Sequence, residues 1–406
     1  MIDAATLTRS PAVDRARRIL RARDTETLAA MVELAQIPAP PFGEAARAER
    51  VRRRFREIGL ADVAVDEAGN VLARLPTPAG GARGADGVAP VLLAAHLDTI
   101  FPPGTDVTVR QVDGRWHGPG IADNARGLAA MLAVARALVE AAPALRRPVV
   151  FVATVGEEGV GDLRGVKHLF REGSPWRRAA AFIALDGTGT RRIVNRALGS
   201  VRYRIVLEGS GGHSWADWGL PNPIHALGRA IASLAELDLP RRPRTTLTVG
   251  RVEGGTAVNA IPTRAWLELD LRSESADALA ELDARARRAV ERAVAEAGGR
   301  RRRGAAALEL TVEPIGSRPS GETPASAPIV AAARAATRLI GEVPELAASS
   351  TDANIPISLG IPAIALGAGG RSAGVHTPDE WYDNEGGPAG LERVLLTLLA
   401  VAGLDE

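Results

Sequence analysis

Histidine and carboxylate side chains gather at five places in the chain: His96-Leu97-Asp98, Asp123, Glu157-Glu158, Asp186 and His376. Imidazole and carboxylate without thiolate suit zinc, cobalt or manganese in a hydrolytic role. Two ions sharing a carboxylate need about five such ligands, and together they polarise a carbonyl and acidify water. A further carboxylate must then carry a proton from water to the leaving amine. Glu157 and Glu158 suit that division, because adjacent residues at a strand end point different ways and one can ligate while the other faces water. In His96-x-Asp98 the two side chains fall on the same side of an extended chain. Asp98 can then accept the second ring N–H of His96 and fix its tautomer. A lone His-x-Asp or Glu-Glu is commonplace; the argument rests on their recurrence at comparable places.

Those places are strand ends. Residues 91–95, 148–155, 180–185 and 362–366 are apolar runs of strand length without alternation, which reads as parallel strands buried on both faces. The first releases His96 and Asp98, the second Glu157 and Glu158, and the third Asp186. The fourth leads through a Gly-rich loop to His376, and Asp123 lies on another such loop. Open α/β sheets bind ligands beyond the carboxyl ends of their strands, so all these side chains are expected at one edge. Before them, helical periodicity covers 24–37 and 43–59, with Pro38 to Pro41 between. A hairpin over 63–65 and 71–75 turns at Gly69-Asn70, and 77–89 reads as a Gly/Ala loop. A helix is expected over 127–142.

The middle of the chain has a different grain. Strand 201–207 alternates, followed by helix 224–237, strands 245–252 and 265–271, helix 276–297 and strand 308–315. That order is a split βαβ sandwich. The expected architecture is therefore α/β, with a mostly parallel-stranded catalytic domain over 1–197 and 317–406. A ferredoxin-like α+β domain over 198–316 is inserted into it, and the catalytic chain resumes with a helix over 327–340.

Composition narrows the classes. With 406 residues, 46% of them apolar, two domains are expected. The 50 basic and 48 acidic residues nearly balance, and Lys167 is the only lysine. The basic run Arg300 to Arg303 lies beside Gly298, Gly299 and Gly304 and reads as a solvated turn. It is not interleaved with aromatics, so no nucleic-acid partner is expected. There is no cysteine, hence no disulfide or thiolate metal site. The first residues have no apolar core of a leader, and no later stretch is long enough for a membrane span; a cytoplasmic protein is expected. HExxH does not occur, which disfavours a zincin.

The motifs HLDT (96–99), GPGIADN (118–124), GEEG (156–159), LDG (185–187), GGHSW (211–215), NAIPTRAWLELDLR (259–272) and GVHTPDEW (374–381) follow in order along nearly the whole chain. The set resembles the M20 family of zinc metallopeptidases. That family includes carboxypeptidase G2-like enzymes, peptidase T-like aminotripeptidases, dipeptidases, and acetylornithine and succinyl-diaminopimelate deacylases. The resemblance implies that His96 binds one metal with Asp98 behind it, and that Asp123 bridges both metals and precedes a cis peptide bond. It implies Glu157 as general acid/base and Glu158 as a ligand of the second metal. Asp186 completes the first ligand set and His376 the second. His213 resembles a lid histidine that stabilises the oxyanion, and Asn259 and Arg272 resemble lid residues that hold the substrate. An Arg fork is a natural partner for a carboxylate; the lesser alternative is that Arg272 simply pairs with Asp270 on its own strand face. Trp215 and Trp218 are either lid core or substrate-facing. His117, His168 and His225 match no motif and are taken as structural.

The expected function is a two-metal hydrolase of short peptides or N-acyl amino acids, exopeptidase-like, with zinc and with cobalt or manganese as alternatives. Within that class the alternative is an N-acyl-amino-acid deacylase; outside it, a non-catalytic metal-binding scaffold, which retention of Glu157 disfavours. Asp186 favours ordinary hydrolases over carbamoyl-cleaving relatives, which often carry His there. Segment 349–370 resembles the peptidase T and carboxypeptidase G2 branches. A homodimer through the inserted domain is also expected. Its sheet leaves an edge strand, and Ile224, Leu227, Ile231, Leu234 and Leu237 form more apolar surface than a solvated helix needs, which a two-fold mate could cover. The resemblance then places His213 across the dimer.

Overall fold

The computed structural model describes residues 9–76, 87–299 and 304–405. The chain divides into two compact units, Met1–Ala197 with Glu322–Glu406, and Leu198–Gly321. The first is a mixed α/β unit built on a nine-stranded sheet. Its middle strands, Val149–Thr154, Val91–His96, Ala181–Leu185 and Ala363–Leu366, run parallel in that spatial order. Every residue in them is buried. Alternation explains why both faces are apolar: Val91, Leu93 and Ala95 pack on one side, under helices Arg126–Ala141 and Gly387–Ala402. Leu92 and Ala94 pack on the other, with Val166, Phe170 and Ile355.

Antiparallel pairs flank this parallel core. The hairpin Ala61–Val65 and Val71–Arg74 joins one side through Val149–Thr154. Its turn is closed by the Asp66 carboxylate, which accepts the N–H groups of Ala68, Gly69 and Asn70. On the other side Arg192–Ala197 pairs antiparallel to Ala363–Leu366. The N-terminal helix Pro11–Ala22, absent from the sequence reading, buries Val13, Ala16 and Leu20. A second small sheet links Arg371–Ala373, Trp381–Asp383, Arg115–His117 and Arg110–Val112. No helix among the described residues is long and apolar enough to cross a membrane. Most of the expected 77–89 loop and all of Arg300 to Arg303 lie outside the described residues.

The second unit has a four-stranded antiparallel sheet in the order Thr245–Gly254, Arg264–Ser273, Gly199–Glu208, Glu309–Arg318. Helices Pro223–Ala235 and Ala276–Gly299 cover one face. Along Arg264–Ser273 alternate residues Ala265, Leu267, Leu269 and Leu271 lie beneath them. The other face carries charge pairs, Arg204 with Glu268 and Arg202 with Asp270. The last strand runs to Arg318, so this unit extends past Gly316 to Gly321.

One expectation needs correction. Leu227 and Leu234 are buried within this unit, at 1% and 2% exposure, and Ile231 and Leu237 pack against the same cluster. The helix therefore spends its apolar face on its own sheet. Ile224 is 41% exposed, and Ile231 and Leu237 are partly buried. The apolar surface invoked for a two-fold mate is smaller than the periodicity suggests.

Candidate metal centre

Register brings the strand ends level. His96 pairs with Thr154, Ala95 with Leu185, and Leu185 with Leu366. The N–H of Leu97 donates to the Thr154 carbonyl at 2.7 Å, and that of Asp186 to the Leu366 carbonyl at 3.0 Å. Whatever follows these residues must emerge at one edge. Gly156 turns the chain there with φ 63°, and a Cβ on it would meet Arg164 Cγ at 2.5 Å. Glu157 and Glu158 follow, both buried.

Asp98 organises this corner differently from the sequence reading. Its backbone carbonyl lies 3.0 Å from His96 Nδ1, while its carboxylate is 3.7 Å from that atom. The carboxylate oxygens instead accept the N–H groups of Glu157 (2.9 Å) and Glu158 (2.7 Å). Asp98 thus orients His96 through its backbone and the two glutamates through its side chain.

Asp123 arrives on the 118–124 loop, with a cis peptide bond to Asn124. The buried Asn124 side chain donates to the Leu185 carbonyl at 2.8 Å, tying the loop to the strand that delivers Asp186. Gly127 leaves room for it, since a Cβ there would meet Asn124 Oδ1 at 2.1 Å. Arg126 is fully buried and donates to the carbonyls of Ala368 and Gly387 at 3.0 and 3.2 Å. Arg47 does the same for the His96 strand end, reaching the Leu97 carbonyl at 2.7 Å and the Ile37 carbonyl at 2.6 Å. Arg393 bonds the carbonyls of Gly367 and Thr190. His376 sits at φ 68°, a left-handed conformation that costs a non-glycine residue about 1–3 kcal/mol and clusters at functional sites.

Within this frame Asp123 Oδ1 lies 3.0 Å from His96 Nε2, and Oδ2 lies 3.2 Å from His376 Nε2. His376 Nε2 is also 2.9 Å from Glu158 Oε1. Three groups offer ligand atoms within 4.8 Å of one another: His96, Asp123, Asp186; Asp123, Glu158, His376; and His96, Glu157, Glu158. The donor chemistry fits divalent cations, and so does the local charge. Burial, with the Asp123 carboxylate beside it, pushes the Asp186 carboxyl up to about 7. Bonds to Asp123 and Glu158 hold the His376 imidazolium up to about 10. Burial opposes the charged form of His96, yet the Asp123 and Asp98 carboxylates outweigh it and raise its pKa well above the ordinary value. The cluster is anionic enough to demand positive charge.

The sequence reading missed three residues at this site. Glu380 is buried and accepts N–H groups of the Asp123 loop. Burial pushes its carboxyl up to about 7 against those bonds. Asn70, read only as a turn residue, accepts the Val155 N–H with its buried side chain at 3.0 Å, just before the Glu157 turn. Asp352, buried, bonds Thr154 Oγ1.

The remaining predicted residues belong to the second unit. His213 pairs with Ala260 in a short ladder, and the Ser214 N–H donates to the Asn259 carbonyl at 3.0 Å. His213 and Asn259 are thus neighbours, both exposed. His213 Nδ1 accepts the N–H groups of Trp215 (3.2 Å) and Ala216 (3.4 Å). The ring proton is therefore on Nε2, which is left as a donor. Trp215 and Trp218 are 87% and 78% exposed, so they are not core. Arg272 is at the opposite end of the strand, with Nε 2.6 Å from Asp270 Oδ2. His117 lies on the small sheet, His168 near Asp66 and Glu67, and His225 at a helix start.

The chain is similar to known proteins in sequence and in fold. The sequence model described as Peptidase family M20/M25/M40 matches residues 92–400. Over 247 residues the chain is 30% identical to a succinyl-diaminopimelate desuccinylase of Corynebacterium glutamicum, covering 59% of this chain and 64% of that protein's own length. It is 28% identical to the uncharacterized protein YqjE of Bacillus subtilis, covering 86% of this chain and 91% of that one. The crystal structure of aminopeptidase PepT from Bacillus cereus is similar with a TM-score of 0.71 and 26% identity, covering 93% of this chain and 98% of that chain.

Proposed function

Because the chain belongs to peptidase family M20/M25/M40, we propose that it is a co-catalytic two-metal hydrolase cleaving the amide bond of short peptides or N-acyl amino acids. The observation that carries this reading is one carboxylate facing two histidines, Asp123 Oδ1 toward His96 and Oδ2 toward His376. His96, Asp123 and Asp186 would hold one ion, and Asp123, Glu158 and His376 the other. Zinc suits this set, as do cobalt and manganese. When bound, such a pair supplies Lewis acidity toward an amide carbonyl and acidifies water.

The chain's own groups do the rest. Glu157, close to His96 and Glu158, takes a proton from water as the oxygen bonds to the carbonyl carbon. It then gives that proton to the nitrogen as the C–N bond breaks. Asp98 keeps Glu157 in place through the backbone. His213 donates Nε2–H to the carbonyl oxygen as charge develops there. Asn259 holds the substrate beside it, and Arg272 binds its carboxylate.

His213 and Arg272 do not reach one small substrate from the same copy. Stretch 259–272, extended for most of its length, spans on the order of 40 Å. A tripeptide extends roughly 10 Å. This supports a homodimer in which one copy supplies Arg272 and its mate supplies His213 and Asn259. Similarity to a desuccinylase favours, as a second reading, deacylation of N-acyl amino acids.

The test is a screen of metal-loaded protein against dipeptides, tripeptides and N-acyl amino acids, reading free amine. Glu157→Gln should keep both metals and lose roughly 10²–10⁴-fold in rate. Near-full activity in that variant, or no amine from any class with both metals bound, would overturn the reading.

A further inference from the structure

Asp123 and His376 stand on two different loops, yet their ring and carboxylate atoms must be held within bonding range of each other. One residue joins those loops. Glu380 follows His376 by four positions, and its side chain is fully buried. Its Oε1 accepts the N–H groups of Ala122 at 2.8 Å and of Asp123 at 2.9 Å. Its Oε2 accepts the N–H of Gly120 at 2.9 Å. The main chain of Glu380 completes the junction. Its carbonyl accepts the Gly118 N–H at 2.9 Å, and its own N–H donates to the Thr377 carbonyl at 3.2 Å. Backbone N–H groups converging on a carboxylate form an anion-binding concavity, here filled by the protein itself.

We propose that Glu380 is a positioning residue that sets the separation of Asp123 from His376 and so tunes how tightly both metals are held. The inference rests on the reading of Asp123 as the shared ligand. A carboxylate is the side chain this junction requires. It is acceptor-only, and both of its oxygens meet donors. Glutamine would turn an NH₂ group toward an N–H on one side. Aspartate, one methylene shorter, would not span the gap. Outer partners of metal ligands act on affinity through such orientation, and removing one typically costs about 10–100-fold.

The experiment is Glu380→Gln beside Asp123→Ala, each freed of metal and titrated with Co²⁺ while the visible spectrum is followed. Glu380→Gln should bind two equivalents about 10–100-fold more weakly than the parent. Its cobalt absorption should be altered at saturation, which a merely structural role at a remote position would not produce. Parent affinity and an unchanged spectrum in Glu380→Gln overturn the proposal. If Asp123→Ala itself still binds two ions normally, the shared-ligand reading fails instead. Should the glutamine variant not fold, hydrogen exchange on the parent decides. The amides of Gly120, Ala122 and Asp123 must be protected with and without metal, and rapid exchange at them sinks the idea.

Discussion

In the first unit, His96, Glu157 and Glu158 are buried, and their backbones are fixed by strands whose ends lie in register. In the second, His213 on a two-residue strand and Asn259 on the facing turn are both exposed, flanked by Trp215, Trp218 and Val258, all largely in solvent. The first arrangement is pre-organised, as ligands for a cation must be, since repelling carboxylates gather only where the fold forces them to. The second is ordered locally, by the Asp217 carboxylate on the His213 N–H and by the amides on its ring. Chemistry that needs fixed distances sits on the sheet edge, and two of the residues proposed to meet a substrate, His213 and Asn259, stand exposed.

The sharpest way to break this contrast is at Asp123. Asp123→Ala should lose both ions and essentially all hydrolysis, whereas His376→Ala should lose chiefly one ion. Metal analysis of the purified variants checks both, and two equivalents in Asp123→Ala would refute the bridging geometry. A smaller but more specific effect concerns the exposed pair. Mixing inactive His213→Ala with inactive Glu157→Gln chains should restore part of the activity, because one site in each mixed dimer keeps both groups. No recovery after demonstrated subunit exchange would confine His213 to its own chain. The smallest effects test the corrected helix. Leu227→Ala should destabilise the second unit by about 2–5 kcal/mol with metal content unchanged. Ile224→Ala should stay within about 0.5 kcal/mol. Chemical denaturation reads both, and a reversed order would return the apolar face to an interface.

The parallel strands and what they deliver were legible because a non-alternating apolar run has few alternatives, and a strand end fixes where the next residue goes. The split βαβ order was legible for the same reason, since alternation and helical period follow one another cleanly there. What pattern does not carry is the identity of a partner. The period of Leu227 and Leu234 says that a face is buried, not against what, and the answer was the unit's own sheet. Glu380 and Asn70 gave no local signal because their bonds run to residues far away in sequence. The strands Arg115–His117 and Trp381–Asp383 are too short for alternation to register. The helix Pro11–Ala22 buries too few large side chains, among many arginines, to stand out.

The buried arginines bear on how the protein meets acid. Arg47, Arg126 and Arg393 grip neutral carbonyls, not carboxylates. Burial lowers the Arg47 and Arg393 guanidinium groups only to about 10. An amide carbonyl gains no proton in the acid range, and a guanidinium loses none. Acidification therefore neutralises first the Asp186 carboxyl, which burial and the neighbouring Asp123 raise to about 7, while these three clamps stay closed. Acid also neutralises the Glu380 carboxyl that joins the Asp123 and His376 loops, raised by burial to about 7, so mild acid should empty the centre and loosen that one junction while the arginine clamps hold, and neutralisation should restore both without a round of unfolding.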